Sequence, residues 1–451
     1  MITQWWACMM AGGASSRFFP MNKILFDPAH TGRTLAQQAF DRLCAKTTDS
    51  TVEELDPHRF LIVTAKSFAP ILSEHIPELP KDNFLCEPAA RSTLPAILLA
   101  MCRVRQSNPD DILCVVTADH IISNIHAFRS TMETAREIAS VKEAIVTIGI
   151  TPTNNPADWT PFGAINSDTS TKIPLSKHTH PECIGYPLIC FEEKPNVQRA
   201  QEMVDANKQA ASSPLSHPSW TWNAGMFVFR VSTMEKALEA FHPEFFSIYQ
   251  QLCSAPNEEE RNKVFLTFPP KVAHPLNPAQ TVDSSVDYVV MMPLTEQNHP
   301  TLVGAVIPGN FPWFDVGGWG AFKKVESIQK DEHKNVKYGN VQFIQSKGCV
   351  ASTLASLTIT GMTDLIAIHS DEGILALIPD AISARLKDLK QKVDETKEGN
   401  VLVECSSVDI NNAHPSSVRV CALGIKDMSI VVEEKDGKLS IALSPRAKED
   451  L

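Results

Sequence analysis

Short apolar runs alternate with helical stretches through the first third of the chain. Trp5–Met10 is almost continuously apolar and runs straight into Gly12-Gly13-Ala14-Ser15-Ser16-Arg17. Residues 34–43 carry a helical pattern with Thr34 as N-cap. Residues 60–64 form a second apolar run and 94–104 a helix; Ile112–Thr117 is a third run, ending at Asp119-His120, and Ala144–Ile150 is a fourth. Apolar strands separated by helices predict a doubly wound, largely parallel α/β sheet. In such sheets ligands bind beyond the carboxyl ends of the strands. The Gly12 loop and the Asp119 turn both occupy ends of that type.

The pattern then changes twice. Residues 167–218 are polar and rich in Pro, Ser, Thr and His, interrupted by an apolar run at 188–191. From about residue 337 short β-like runs recur between Gly and Asp, and 357–377 resembles 420–443. In each, a β-branched run leads to Gly-x-x-Asp (Gly361/Asp364 and Gly424/Asp427), then to a second apolar run and an acidic turn with Gly. This predicts two similar β-rich units stacked on each other, with one long helix over 380–397 between them. The expected domains are 1–330 and 331–451.

At 451 residues the chain exceeds what one core usually supports. With 43% hydrophobic and 21% charged residues it is neither disordered, collagenous nor disulfide-stapled. A net charge of −11 argues against nucleic-acid and membrane partners, so an anionic ligand must meet a local cluster of donors. The eleven cysteines contain no CxxC pair and several lie inside apolar runs, as expected of free thiols in a reducing compartment. No leader or membrane span is evident, so a cytoplasmic location is expected.

The candidate chemistry begins at the first loop. Glycines after a strand let a backbone approach a phosphate, and Arg17 and Lys23 follow closely. Neither GxxxxGK[ST] nor GxGxxG is present, and Gly12-Gly13 alone is equally a plain strand-to-helix turn. His178-Thr179-His180 with Cys183 fits no standard zinc spacing and reads as a polar loop.

Eight segments in order carry a family resemblance. They are Ala11-Gly12-Gly13…Arg17…Lys23, Glu87-Pro88-Ala89-Ala90-Arg91-Ser92-Thr93, Ala118-Asp119-His120, Gly149-Ile150-Thr151-Pro152-Thr153, Glu193-Lys194-Pro195, Trp222-Asn223-Ala224-Gly225, Ser285-Val286-Asp287-Tyr288 and Trp313-Phe314-Asp315-Val316-Gly317. Together they resemble the sugar-1-phosphate nucleotidyltransferases, most closely the mannose-1-phosphate guanylyltransferases. The resemblance implies a Rossmann-like catalytic domain with a mixed sheet, followed by a left-handed β-helix-like part; the repeating β-rich units themselves suggest a homodimer surface. It implies GTP and mannose 1-phosphate as substrates and Mg²⁺ as cofactor, held by Asp119 and Asp315. Taken alone, a strand-end Asp such as Asp119 is more often a helix N-cap. Arg17 and Lys23 are the implied catalytic cations. Ala11, Gly12, Gly13, Glu87, Pro88, Arg91, Thr93 and Asp119 are implied to bind nucleotide, and Gly163, Glu193, Lys194, Asn223 and Asp287 the sugar phosphate.

Glu87 has a chemical reading of its own. Guanine offers N1–H and its 2-amino group side by side, a pair that one carboxylate can accept, and adenine and uracil do not. Arg91 reads either as a ligand contact or as a surface arginine opening the next helix. The chain departs from the family pattern at Ala14, Ser15 and Ser16, at Asn22 in place of proline, at Phe162-Gly163 and at Met292. Two alternatives follow: another sugar or nucleotide on the same fold, or a non-catalytic paralogue that binds sugar nucleotides and regulates a partner. A histidine-rich isomerase domain is not expected, since only His369 and His414 follow residue 333.

Overall fold

The computed structural model describes residues 3–446 apart from 14, 48–51, 176–179, 181, 211–218, 298, 397, 413–417 and 436–437. The chain forms two compact units, Met1–Gly13 with Ala36–Trp313 and Ala14–Leu35 with Phe314–Leu451.

The first unit is built on strands β1 (Trp5–Met10), β2 (Phe60–Ala65), β3 (Phe84–Glu87), β4 (Ile112–Thr117), β5 (His120–Ile122), β6 (Ala144–Ile150), β7 (Gly163–Ser167), β8 (Tyr186–Glu193), β9 (Trp220–Arg230), the hairpin β10 (Lys271–His274)/β11 (Asn277–Asp283), and β12 (Val303–Pro308). Nine of them form one mixed sheet in the order β3-β2-β1-β4-β9-β6-β12-β8-β7. β1, β2, β3 and β4 are parallel, and β9 runs antiparallel to both β4 and β6. The apolar runs read from the sequence are thus strands buried on both faces, and Leu61, Val63, Leu113 and Val115 join the core. The helix Thr93–Arg105 is apolar around most of its circumference and lies inside that core.

One cysteine expectation is corrected. Cys102 and Cys253 form a disulfide between the helices Thr93–Arg105 and Pro243–Ser254, with Cα atoms 5.0 Å apart. That spacing lies within bridging range, and a separation of 151 residues hides it from the sequence. The other nine cysteines are free. Among the described residues no helix is long and apolar enough to cross a membrane.

The second unit begins at Phe314 instead of near 331, and it takes in residues 14–35. An aromatic cluster explains both shifts. Phe18 stacks on Trp319 at 3.9 Å, and Phe26 packs against Trp319, Phe322 and Tyr338. Phe18, Trp319 and Phe322 are fully buried. We expect Phe18→Ala to cost about 3–5 kcal/mol in chemical denaturation, the usual loss on emptying an aromatic site. A loss under about 1 kcal/mol would mean that this segment is not part of that core.

The rest of the second unit is mostly parallel ladders, with Leu365–His369/Ile374–Pro379 and Lys426–Lys435/Lys438–Pro445 paired antiparallel. Val336–Ile344 pairs with Val350–Thr360, which pairs with Leu365–His369; Val401–Val403 pairs with Arg419–Leu423, and Ser406–Asn412 with Lys426–Lys435. The strands meet at turns in which two residues three apart both take positive φ. Gly361/Asp364 and Gly424/Asp427 are the pair foreseen from the sequence, at +65°/+51° and +66°/+49°. Gln345/Gly348 and Glu404/Ser407 adopt the same geometry without the Gly-x-x-Asp sequence. These turns stack: the Gly361 amide donates to the Ile344 carbonyl at 2.8 Å, and the Gly424 amide to that of Val403 at 2.9 Å. Residues 380–397, expected as one helix, are a 3₁₀ segment Asp380–Arg385 followed by an α-helix Leu386–Glu395, with Ile382 non-helical.

Candidate functional site

The strand ends of the first unit gather the first group of candidates. β1 and β4 are parallel with Met10 opposite Thr117, so the Gly12 loop and the Asp119 turn leave the sheet on the same edge. Ala11 is fixed there: its amide donates to the Val63 carbonyl at 2.8 Å and its carbonyl accepts from the Thr64 hydroxyl at 3.0 Å. Glu87 ends β3 and reaches over β2 to this loop. A Cβ on Gly12 would stand 2.3 Å from Glu87 Oε2, so glycine is required for the carboxylate to lie against the backbone. Burial pushes the Glu87 carboxyl up to about 7.

His120 is buried beside Asp119, with Nε2 3.8 Å from Asp119 Oδ1. The Trp313 indole N–H donates to His120 Nδ1 at 3.0 Å, and the Thr117 hydroxyl also contacts that nitrogen. An indole can only donate, so Nδ1 is the acceptor and the neutral ring carries its proton on Nε2. Trp313 is two residues before Asp315 in the chain.

A second group lies at β7, β8 and β9. Gly163 pairs with Glu193, and Ala164 with both Glu192 and Trp222. The Lys194 amide donates to the Phe162 carbonyl at 3.1 Å, and Lys194 Nζ lies 2.9 Å from Glu193 Oε1. Burial alone would lower the Lys194 ammonium, but the Glu193 carboxylate outweighs it and raises it. Asn223 is held on both sides of its amide. Oδ1 accepts from the Thr147 hydroxyl at 2.8 Å and the Gly225 amide at 3.1 Å, while Nδ2 donates to Asp287 Oδ1 at 3.1 Å. Burial and then the Glu193 charge push the Asp287 carboxyl up. Phe162 links the two groups, packing on Trp222 at 5.0 Å and on Trp313 at 5.5 Å.

The remaining candidates belong to the second unit. Arg17 sits in the turn Ser16–Phe18, and a Cβ on Gly317 would lie 3.8 Å from its Nη1. The Gly317 amide donates to the Asp315 carbonyl at 2.9 Å, so Arg17 and Asp315 flank one short turn. Asn22, where the family has proline, caps the turn that carries Lys23: its Oδ1 accepts from the Ile24 amide and from the Ser15 hydroxyl, each at 3.2 Å. Ala14 lies outside the described residues, and Ser15 takes the positive φ of this loop, +47°.

Other candidates make contacts within the first unit. Arg91 is half-buried: its Nη2 donates to the Leu266 carbonyl at 3.2 Å, and its Nε is buried with no partner among the described residues. The Thr93 hydroxyl accepts from the Val286 amide at 3.2 Å and ties that helix to the segment bearing Asp287, while Pro88 is exposed at the end of β3. Met292 is buried in the core. His180 is buried with ring nitrogens 3.1 Å from Glu133 and 3.6 Å from Glu182; His178 and Thr179 lie outside the described residues.

Residues 6–332 match the nucleotidyl transferase family (NTP_transferase). The chain belongs to that family. This nucleotidyltransferase is similar to the mannose-1-phosphate guanylyltransferase of Klebsiella pneumoniae, 27% identical over 393 residues that cover 86% of this chain and 73% of the relative. It is also similar to the alginate biosynthesis protein AlgA of Pseudomonas putida, 26% identical over 395 residues covering 86% and 71%. The solved structure described as mannose-1-phosphate geranyltransferase from Thermus thermophilus shares the fold, with a TM-score of 0.66 at 22% identity over 87% of this chain and all of that one.

Two supporting roles in this nucleotidyltransferase, that of Thr147 and the contact of Trp313 with His120, are not evident from the sequence. Thr147, which orients Asn223, is the one polar residue in the otherwise apolar run of β6, and that interruption was its signal. The Trp313 indole has none, because its partner His120 is 193 residues away.

Proposed function

We propose that this enzyme transfers GMP from GTP to α-D-mannose 1-phosphate, giving GDP-mannose and pyrophosphate. The observation that carries the reading is the Glu87 carboxylate held against Gly12, a paired acceptor beside a phosphate-type loop in a nucleotidyltransferase whose relatives include named mannose-1-phosphate guanylyltransferases. One phosphate oxygen of mannose 1-phosphate attacks the α-phosphorus in line, and the bond to the β,γ-pyrophosphate breaks. The attacking phosphate has a second pKa near ~6 and is already largely dianionic at neutral pH. No general base is required, and the work falls to positioning and charge neutralisation.

In this reading Ala11, Gly12, Gly13 and Glu87 seat the nucleotide, with Pro88 and Thr93 shaping that edge, and Arg17 and Lys23 neutralise the phosphates. The Lys194 ammonium meets the sugar phosphate, while Gly163, Glu193, Asn223 and Asp287 frame the sugar hydroxyls. Arg91, whose Nε is buried without a partner among the described residues, adds a cation to the nucleotide edge. Asp119 and Asp315 would hold Mg²⁺. The donor set suits it: both are hard carboxylates, and His120 turns a protonated nitrogen toward Asp119, leaving oxygen ligands. When bound, the ion supplies charge stabilisation to the phosphates.

The reading extends to a cytoplasmic homodimer whose second unit is a left-handed β-helix. The stacked positive-φ turns and the exposed Ile344 and Leu402 on that unit support the β-helix and the dimer.

Mass spectrometry of a reaction with GTP, Mg²⁺ and mannose 1-phosphate tests the proposal: GDP-mannose is expected, and its absence alongside turnover of another sugar 1-phosphate would replace the sugar. Asn223→Ala is expected to raise KM for mannose 1-phosphate about 10–100-fold, since it removes a buried orienting amide and leaves Asp287 with one donor fewer. KM for GTP should stay within about twofold. An equal rise in both constants would remove Asn223 from the sugar side.

A further inference from the structure

The β-rich unit contains a cavity of about 600 Å³ to which the nucleotidyl transfer reading gives no role. Its volume falls in the range of small-molecule sites. The cavity lies at a break in the ladder between Val336–Ile344 and Val350–Thr360. Tyr338 pairs with Ser352 and Asn340 with Ser356, so the single residue Gly339 faces the three residues 353–355. Gly339 has φ +83°, and a Cβ there would stand 2.0 Å from the Thr353 carbonyl oxygen. The local backbone therefore demands glycine, and a bulge of this kind re-aims the side chains around it. Leu354, in mid-strand, is 75% exposed as a result.

His369 lines the cavity and is only 5% exposed. Its Nδ1 lies 3.3 Å from the Thr353 hydroxyl, and its Nε2 is buried with no hydrogen-bond partner. Buried ring nitrogens are seldom left in that state. Burial lowers the His369 imidazole, so the ring is neutral and Nε2 donates or accepts according to the orientation of the Thr353 hydroxyl. A ligand hydroxyl satisfies either state once the ring edge turns into the cavity. Ser356, Ser370 and Asp371 add polar groups, Lys438 adds a positive charge, and Leu354 adds an apolar wall. Apart from His369 none of the described lining residues is aromatic, so none of them offers an open face to a nucleobase.

We propose that this cavity is a second ligand site and takes a phosphorylated sugar, with hydroxyls meeting His369 and Asp371, phosphate meeting Lys438, and the sugar ring lying on Leu354. The sugar phosphate is either a free hexose monophosphate or the sugar-diphosphate end of a nucleotide sugar. The site's binding is measured without turnover, so it stands independently of the reaction assigned to the first unit.

Titration calorimetry on the full chain tests it, with mannose 6-phosphate as the free probe and GDP-mannose as the nucleotide-sugar probe. Mannose 6-phosphate carries its phosphate away from the anomeric oxygen and so separates this site from sugar 1-phosphate binding. At least one probe is expected to bind with a component that Lys438→Glu weakens tenfold or more and His369→Phe removes. Lys438 is exposed, so its variant keeps the fold, and its nucleotidyl transfer rate should be unchanged. The probe that shows this component identifies which source the site accepts. Binding of neither probe to the wild type, or binding that Lys438→Glu leaves intact, would overturn the proposal.

Discussion

Replacing Asp119 or Asp315 by asparagine is expected to lower turnover about 10³-fold, about 4 kcal/mol of transition-state stabilisation. Each substitution keeps the side chain's shape and removes one negative charge from the proposed Mg²⁺ pair. If both carboxylates serve one ion, as proposed, the double variant should be little worse than either single variant. Each single variant should also need a higher Mg²⁺ concentration for half-maximal rate. Turnover measured against Mg²⁺ concentration reads both effects. Asp315→Asn with wild-type rate and wild-type Mg²⁺ dependence would remove Asp315 from the metal site.

Glu87→Gln is the second large effect, and it should fall on base choice. A carboxylate accepts from guanine N1–H and the 2-amino group together, whereas an amide offers one acceptor and sets a donor against a donor. Hydrogen bonds to a charged partner contribute about 1.5–3 kcal/mol each, so KM for GTP should rise about 10²-fold while the poor activity with other nucleotides changes little. The same residue sets a pH dependence. Burial raises its carboxyl from 4.5 to about 7, so below pH 7 the free enzyme holds it protonated and the paired acceptor is lost. KM for GTP should therefore be flat above about pH 7 and rise up to tenfold per unit below it. In Glu87→Gln that slope should vanish. Stability moves in the opposite sense: a raised folded-state value favours the fold at low pH, and this contribution is lost as pH rises from 4.5 through 7. The glutamine variant should thus gain stability relative to wild type above pH 7. A pH-independent KM in the wild type would mean that Glu87 does not face the base.

Much of this architecture was legible along the chain because a strand buried on both faces leaves an unmistakable apolar run. β1, β4 and β6 fall where those runs end in Gly12, Asp119 and Gly149-Ile150. The residues proposed for the sugar side also surfaced as local motifs, and β7–β8 and β7–β9 pairing then brings Gly163, Glu193 and the Trp222-Asn223 segment together. What stayed hidden depends on partners distant in sequence. The Cys102–Cys253 bridge, the Trp313–His120 hydrogen bond and the packing of Phe18 on Trp319 span 151, 193 and 301 residues respectively in chain separation, the last carried also by the Trp319 indole donating to the Phe18 carbonyl. The wound turns of the second unit were half legible. Gly361 and Gly424 announce positive φ, while Gln345 and Glu404 reach it with side chains that give no such signal. Asn22 shows the reverse case: a departure from the family pattern that the backbone absorbs by turning it into a cap.

The most direct test of the central claim is pyrophosphate release with Mg²⁺ and mannose 1-phosphate, comparing GTP with ATP, UTP, CTP and dTTP. Release with GTP, and far less with the other four, is the predicted result. Equal or greater release with another nucleotide would contradict the guanine assignment of Glu87, and silence with all five while GTP still binds would contradict catalysis itself.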